Sequence, residues 1–273
     1  MRVTVLGSGS RGNAVLVDGG GVRLLVDAGF SGRELARRLD AVDVHPESID
    51  ALLVTHDHRD HVRGMGIAAR RWGWPIFATD ATVGACRALL DGTEQIRRYR
   101  AQRPLRIGGL RIDPFLTVHD AVDPIAITVE EEASGNRLGI ATDLGRPTTA
   151  VRHALRDCHL LILEANHDEG MLRRSPYPWS VQARIAGSHG HLSNGAAGRL
   201  AAELCHEALG GVILAHLSER ANQPELAQET VARALDGVGY GGTLEVARQS
   251  EPITPVELTR LRNRLMPAQL ALL

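Results

Sequence analysis

The sequence contains no lysine, so all 31 of its basic residues are arginine, and 32 acidic residues bring the net charge to −1. This absence excludes a P-loop lysine, a Schiff-base lysine and a lysine general base. A net charge so close to zero predicts no overall basic surface of the kind that nucleic-acid-binding proteins commonly carry. Any site for a polyanion must therefore be local.

Long apolar runs and cysteine motifs are also missing. The best apolar runs, at residues 51–54, 160–163 and 212–215, are far too short to span a membrane. The three cysteines are widely spaced and form neither a disulfide framework nor a CxxC motif. The apolar stretch at the N-terminus is too short for a signal peptide. We therefore expect a cytoplasmic protein that does not associate with a membrane.

The chain shows no linker, repeat or low-complexity tract, so we expect a single domain over residues 1–273. Two strand meanders are each followed by strands that alternate with helices. This order predicts an α/β fold, a four-layer αββα sandwich of two mixed β-sheets with helices on the outer faces. The capping box Thr254-Pro255-Val256-Glu257 predicts the start of the last helix. The predicted strands are residues 3–6, 14–17, 22–26, 51–55, 75–79, 110–118, 125–131, 137–142, 160–163, 211–215 and 243–247.

A glycine-rich segment, GSGSRG at residues 7–12, matches the dinucleotide-binding pattern GxGxxG, and Asp27 follows at the spacing which that pattern requires. The pattern also needs its third glycine to open a helix that faces the pyrophosphate. Residues 13–20 are instead typical of a strand and a turn, so we expect no nucleotide cofactor. The segment is better interpreted as a tight strand connection from which Ser10 and Asn13 could reach a substrate.

Three histidines and two aspartates crowd into HDHRDH at residues 56–61, directly after an apolar strand. Burying these side chains unpaired would be costly, so the segment is not ordinary core. In a loop, His56 and His58 can converge on one metal ion while Asp60 and His61 turn to a second. Their nitrogen and oxygen donors suit zinc, manganese or iron.

Three more candidate ligands, His119, Asp143 and His216, each follow a predicted strand elsewhere in the chain. Side chains at the ends of separate strands can meet at one edge of a sheet. His119 would then complete the first metal site, His216 the second, and Asp143 would bridge the two. The sequence therefore predicts two divalent metal ions, with zinc the first choice and manganese or iron the alternatives.

The HxHxDH pattern and its three downstream partners resemble the metallo-β-lactamase superfamily, and the whole chain is similar to its YycJ/WalJ-type bacterial metallo-hydrolases. The resemblance implies an αββα fold, a dinuclear centre and 5′-to-3′ exonuclease activity on double-stranded DNA. It rests on GSGSRGN (7–13), DAG (27–29), HDHRDH (56–61), HD (119–120), EANHD (164–168), PYPW (176–179), GHLSN (190–194) and HLS (216–218).

Residues outside the ligand set also fit phosphodiester chemistry. His191 precedes an alanine-rich helix and could stabilise the scissile phosphate or protonate the leaving oxygen. Ser193 or Asn194 would cap that helix, whose free N–H groups can receive a phosphate. Glu164 and His167 end a predicted strand, and they either support catalysis or orient metal ligands.

Arginines would supply the remaining phosphate contacts. Arg173, Arg174 and Arg184 lie between two of the matching motifs and are the predicted substrate contacts. The densest basic run, residues 97–106, is more typical of a solvated face.

The predicted function is hydrolysis of a phosphodiester, with DNA as the substrate and no covalent enzyme intermediate. Asp60 belongs to the catalytic set as well as to the ligand set, together with His191, Glu164 and His167. Two alternatives stay open, because a fold does not fix a substrate. One is hydrolysis of a carbonyl ester, such as a thioester or a lactone, on the same centre. The other is metal-dependent DNA binding without turnover.

Overall fold

The computed structural model describes residues 1–265, which form two seven-stranded β-sheets. In the first sheet the strand order is β14-β1-β2-β3-β4-β5-β6, and in the second it is β13-β12-β11-β10-β9-β8-β7. The first sheet contains β1 (Arg2–Gly7), β2 (Ala14–Gly19), β3 (Val22–Val26), β4 (Ala51–Leu53), β5 (Ile76–Ala78), β6 (Ile96–Arg98) and β14 (Val256–Glu257). The second contains β7 (Leu105–Ile107), β8 (Leu110–Leu116), β9 (Ile125–Glu131), β10 (Asn136–Ala141), β11 (Leu160–Glu164), β12 (Gly211–Ala215) and β13 (Thr243–Val246).

Both sheets are mixed, and each repeats the same plan. Strands β1 to β3 and β7 to β10 are antiparallel neighbours, whereas β3 to β6 and β10 to β13 are parallel neighbours. The parallel strands need crossover connections, which most of the helices provide. The helices are α1 (Gly32–Asp40), α2 (Arg59–Val62), α3 (Met65–Trp72), α4 (Asp80–Ala85), α5 (Thr149–Leu155), α6 (Glu169–Arg174), α7 (Trp179–Ala186), α8 (Asn194–Glu203), α9 (Pro224–Asp236) and α10 (Leu258–Leu265).

The core has three parts, which correspond to the three interfaces between four layers. Alternate residues of one strand enter different parts: Leu24 and Val26 face the second sheet, while Leu25 packs towards α1 and α3. In β11, Leu160 faces the first sheet and Leu161 packs beneath α5 and α8. Because both faces of these strands are covered, residues 24–26 of β3 and 160–163 of β11 are continuously apolar. The predicted αββα architecture is confirmed.

Local capping signals were misleading at the last helix. Val256 and Glu257 do not belong to it; they form β14, which pairs with Val3 and Arg2 at the edge of the first sheet. The helix begins only at Leu258. The prediction from the Thr254–Glu257 box is therefore wrong, because backbone pairing with a distant strand outweighs a local propensity. No helix within residues 1–265 is long and apolar enough to cross a membrane.

Candidate metal centre

All the predicted metal ligands lie at one edge of the two sheets. Strands β1, β3 and β4 run in one direction in the first sheet, and β8, β10, β11 and β12 run in one direction in the second. Their carboxyl ends therefore meet, as they do in other α/β sites. Residues 56–61, which we call the metal loop, follow β4 and include the first turn of α2, and the second sheet contributes His119, Asp143, Glu164 and His216.

The first cluster consists of His56, His58, His119 and Asp143, whose donor atoms lie within 4.8 Å of one another. Nδ1 of His58 is 3.2 Å from Nε2 of His119, and Oδ1 of Asp143 is 3.5 Å from the same nitrogen. Ligands bound at about 2.1 Å around one tetrahedral ion have similar spacings. The first cluster therefore has the composition and spacing of a single metal site.

The second cluster consists of Asp60, His61 and His216. Oδ2 of Asp60 is 3.1 Å from Nε2 of His216 and 3.5 Å from Nε2 of His61. Asp143 joins the two clusters: its Oδ2 lies 3.2 Å from Nε2 of His61, while its Oδ1 faces the first cluster. The structure thus brings together all seven predicted ligands, with Asp143 between them.

Two buried atoms show that this centre fits metal ions. Nε2 of His56 and Oδ2 of Asp143 have no hydrogen-bond partner within the described part of the chain. Leaving such atoms unpaired in the interior is costly, and both point into the centre of the cluster. Imidazole and carboxylate donors suit zinc, manganese or iron, so divalent ions satisfy what the protein leaves open.

The electrostatics of the centre are those of carboxylates and imidazoles in close contact. Burial raises the pKa of Asp143, but His216, His61 and His56 outweigh this effect and hold it well below its usual value. Burial lowers the pKa of His61, but Asp143, Asp27 and Asp60 raise it well above its usual value. Protons and cations therefore compete for the same imidazole nitrogens.

The far nitrogens of the ligand histidines are held by neighbouring groups. Oδ2 of Asp27 lies 2.7 Å from Nδ1 of His61. The carboxylate of Asp27 also accepts hydrogen bonds from the backbone N–H and the hydroxyl of Thr55. The carbonyl oxygen of Gly190 lies 2.9 Å from Nδ1 of His119. Such contacts fix the tautomer and orientation of each ligand.

Glu164 occupies the equivalent place behind His216. Its Oε1 lies 2.7 Å from Nδ1 of His191 and 3.1 Å from Nδ1 of His216, while its Oε2 accepts the N–H groups of Leu144 and Leu192. Burial raises the pKa of Glu164, but His191 and His216 outweigh it and lower the value to about 2. Both oxygens of Glu164 are therefore occupied by histidine rings and backbone N–H groups.

The backbone is strained where three of these side chains leave their strands. Asp27, Asp143 and His216 have φ of 63°, 59° and 56°, in the left-handed region that few residues other than glycine adopt. Nearby, Gly29 approaches the metal loop so closely that a Cβ there would lie 1.6 Å from the carbonyl oxygen of Asp60. Left-handed backbone conformations such as those of Asp27, Asp143 and His216 cluster at active sites and ligand-binding sites.

The predicted substrate residues separate into two groups. Ser10, Arg184 and His191 line the main cleft above the ligands, a cavity of about 250 Å³. Asn13 is buried and lies under the metal loop, with its Nδ2 3.1 Å from Oδ2 of Asp60. Asn194 is also buried and exchanges hydrogen bonds with Asn222. The structure therefore brings neither asparagine to the cleft wall.

A second pocket of about 400 Å³ adjoins the main cleft. His167, Arg173 and Ser193 line it, and His191 lines both cavities. Ser193 caps α8, as predicted, by accepting the N–H of Ala196. Arg174 lies exposed on α6 and, within the described chain, borders neither cavity.

The sequence prediction missed the role of Asp27 and the cleft residues Asp120, Tyr177 and Ser218. Asp27 follows a strand, as His119 and the other ligands do, so the same rule could have found it. The cleft residues lie on loops, and the only signal for them is that they belong to the matching segments HD (119–120), PYPW (176–179) and HLS (216–218).

Two mixed sheets with outer helices and a histidine–aspartate centre at their shared edge define the class of αββα metallo-hydrolases. The model of the β-lactamase superfamily domain matches residues 22–217. This chain belongs to that superfamily.

Two relatives are similar along nearly the whole chain. Exodeoxyribonuclease YycJ of Bacillus anthracis is 30% identical over 262 residues, which are 94% of this chain and 98% of the relative. Exodeoxyribonuclease WalJ of Streptococcus pneumoniae is 31% identical over 271 residues, 95% of this chain and 98% of the relative. The crystal structure of the metallo-β-lactamase fold protein YhfI from Bacillus subtilis has a TM-score of 0.69 at 22% identity, and covers 92% of this chain and 98% of that one.

Proposed function

We propose that this chain is a 5′-to-3′ exonuclease that hydrolyses phosphodiester bonds in double-stranded DNA. The position of Asp143 between two ligand clusters carries the proposal, because a centre for two divalent ions suits in-line displacement at phosphorus. The two exodeoxyribonuclease relatives support the choice of DNA as substrate.

When bound, the two ions would supply a nucleophile at neutral pH and neutralise charge on the phosphoryl oxygens. Zinc is the first choice, with manganese or iron as alternatives. His56, His58 and His119 would hold one ion, Asp60, His61 and His216 the other, and Asp143 both. In this proposal the enzyme is cytoplasmic and acts as one domain, since the two sheets provide ligands to a shared centre.

His191 is the proposed proton donor to the leaving oxygen. Its Nδ1 is engaged by Glu164 at 2.7 Å, and the ring lines the main cleft, so Nε2 is the nitrogen available to a substrate. Burial lowers the pKa of His191, but Glu164 outweighs it and raises the value. A ring whose pKa is raised holds its proton more firmly, which suits general acid catalysis.

Arg184 is the proposed contact to a substrate phosphate in the main cleft. It lies 3.5 Å from Asp120 at the rim, and its side chain is largely exposed. Arginine presents a planar set of donors that matches phosphate oxygens. On the other side of His191, Arg173 lines the second pocket and can contact the phosphate backbone of the same DNA strand.

The proposal is tested on linear duplexes that carry a label at either the 3′ or the 5′ end. Protein stripped with a chelator and reloaded with zinc, manganese or iron should shorten the 3′-labelled strand progressively from its 5′ end. Duplexes with a 5′-phosphate and a 5′-hydroxyl reveal any end preference, and closed circular DNA is the matched substrate without an end.

Three results would count against the proposal: hydrolysis that is unaffected by chelation, digestion from the 3′ end, or cleavage of aryl esters with no cleavage of DNA. A His191→Ala variant keeps all seven proposed ligands and should lose most turnover; because His191 also lies close to Asp143, Glu164 and His216, its metal content is measured beside the rate.

A further inference from the structure

Helix α7 separates the main cleft from the second pocket. Val181, Arg184 and Ile185 line the main cleft, whereas Trp179, Gln182, Ala183 and Ala186 line the second pocket. The second set has the i, i+3, i+4, i+7 spacing of one helical face. None of the eight residues of α7 is buried. The helix is therefore a thin partition with a cavity on each side.

The second pocket has the chemistry of a site for a flat heterocycle. Leu172, Leu192 and Ala196 give it apolar walls. Gln182, Ser193 and the carboxylate of Glu169, which accepts the hydroxyl of Ser193, place polar groups beside them. Small-molecule sites are typically of this size and combine apolar walls with a few polar groups that fix orientation. Since His191 lines both cavities, a strand whose phosphodiester lies in the main cleft can place a neighbouring base in the pocket.

Trp179 stands at this pocket with 81% of its surface exposed. The other large exposed apolar residues in the described chain are less exposed, at Ile67, Leu89, Leu116, Val122 and Val238. Because Trp179 borders the same pocket as Leu172 and Leu192, its indole ring continues the apolar wall of a small cavity. An exposed indole face beside an arginine suits base stacking, which binds single-stranded DNA without reading its sequence.

We infer that Trp179 and the second pocket bind an unpaired nucleobase next to the scissile phosphodiester. The inference rests on the proposed function and adds to it that the duplex end must open before hydrolysis. One base stacks on the indole ring of Trp179, and Arg173 at the pocket contacts the backbone of that strand.

The test is a double-mutant cycle in which substitutions of Trp179 are combined with abasic residues in the DNA. Wild type, Trp179→Ala and Trp179→Phe are compared on duplexes with an abasic residue at the first, second or sixth nucleotide from the 5′ end. Loss of one stacked base should lower kcat/KM about tenfold in Trp179→Ala. An abasic residue at one of the first two positions should lower the wild-type value similarly, and should cause no further loss in Trp179→Ala.

Trp179→Phe should retain most of the activity, because a phenyl ring still stacks. Val238→Ala, which removes an exposed apolar side chain elsewhere, is the matched control and should equal wild type. The inference is overturned if Trp179→Ala digests unmodified DNA as well as wild type. It is also overturned if the losses from Trp179→Ala and from the abasic residue multiply at every position.

A binding measurement separates this inference from the proposed function. The chain has two other tryptophans, Trp72 and Trp74, which stack on each other beside the outer face of the first sheet. A short single-stranded oligodeoxynucleotide should therefore quench the fluorescence of wild type and leave that of Trp179→Phe unchanged. If DNA is not cut but this quenching occurs, the base site stands and the proposed function fails. If DNA is cut without such quenching, the base site is wrong.

Discussion

Replacing Asp27 with asparagine is expected to weaken one half of the metal centre while leaving the fold intact. Asp27 contacts no substrate; it lies 2.7 Å from Nδ1 of His61 and accepts two hydrogen bonds from Thr55. Its φ of 63° is tolerated by asparagine as well as by aspartate, so the change introduces no new backbone strain. Only the hydrogen-bond chemistry differs.

The asparagine amide has one acceptor and one donor side, so one of the two neighbours of Asp27 must change its role. The backbone N–H of Thr55 cannot become an acceptor, whereas His61 can move its ring proton. The amide carbonyl will therefore face Thr55, and the NH₂ group will face Nδ1 of His61. This arrangement leaves the proton on Nε2, the nitrogen that faces Asp60 and Asp143.

A histidine protonated at Nε2 cannot donate that nitrogen to a metal. Removing a partner that orients a ligand typically reduces metal affinity about 10- to 100-fold, which corresponds to about 1.4 to 2.7 kcal/mol. Calorimetric titration of the metal-free protein with zinc or manganese should show this loss at one of two sites. The first cluster, which Asp27 does not contact, should keep its affinity.

Asp57→Asn is the matched control within the same loop. Oδ1 of Asp57 accepts the N–H of Val122, a role that an asparagine carbonyl performs equally well. Its metal affinities should equal those of wild type. If Asp27→Asn also binds both ions with unchanged affinity, then the contact between Asp27 and His61 does not set the tautomer, and the reasoning fails.

Three further variants test the packing and the charge of the fold. Gly29→Ala should abolish metal loading, measured by elemental analysis, because its Cβ would displace the carbonyl of Asp60; Gly84→Ala, with open space at its Cβ, should load normally. Leu138→Ala, fully buried between the sheets, should lower the free energy of unfolding in urea by about 2–5 kcal/mol. Burial lowers the pKa of His159 from 6.5 to about 4. As the pH falls, the imidazole of His159 therefore binds its proton at a higher pH in the unfolded state than in the folded state. Wild type should lose stability as the pH falls from 6.5 towards 4. His159→Gln should lack this component in urea titrations across that range; an identical pH dependence in both proteins would contradict it.

Much of the fold is predictable because its central strands and some of its helices each carry a local sequence signal. Continuous apolar runs such as those of β11 and β12 predict strands covered on both sides, and the predicted cap at Ser193 marks the start of α8. The edge strands β6, β7 and β14 are short and partly polar, so their sequences do not distinguish them from loops. They form because a neighbouring strand offers unpaired backbone groups, which local sequence cannot reveal.

The candidate site is predictable to the extent that it obeys strand direction. His119, Asp143 and His216 follow parallel-pointing strands, so their convergence is a consequence of topology. Whether a polar residue at such an end faces the cleft or lies beneath it depends on packing. Asn13 shows this, since it precedes β2 but turns under the metal loop to contact Asp60.

Because the chain has no lysine, its basic side chains other than histidine are all arginines, and several of these arginines pair with carboxylates. The dense basic run at residues 97–106 lies on and between β6 and β7, where Arg98 pairs with Asp80 at 2.6 Å. Arg184, at the main cleft, is paired with Asp120 at 3.5 Å. Much of the local cationic charge is thus already balanced within the chain, while the centre itself concentrates carboxylates. In the proposed function, phosphate groups that approach such a centre need more positive charge than Arg173 and Arg184 supply, and the rest arrives with the ions. Under the proposed function, metal loading and DNA binding are therefore coupled.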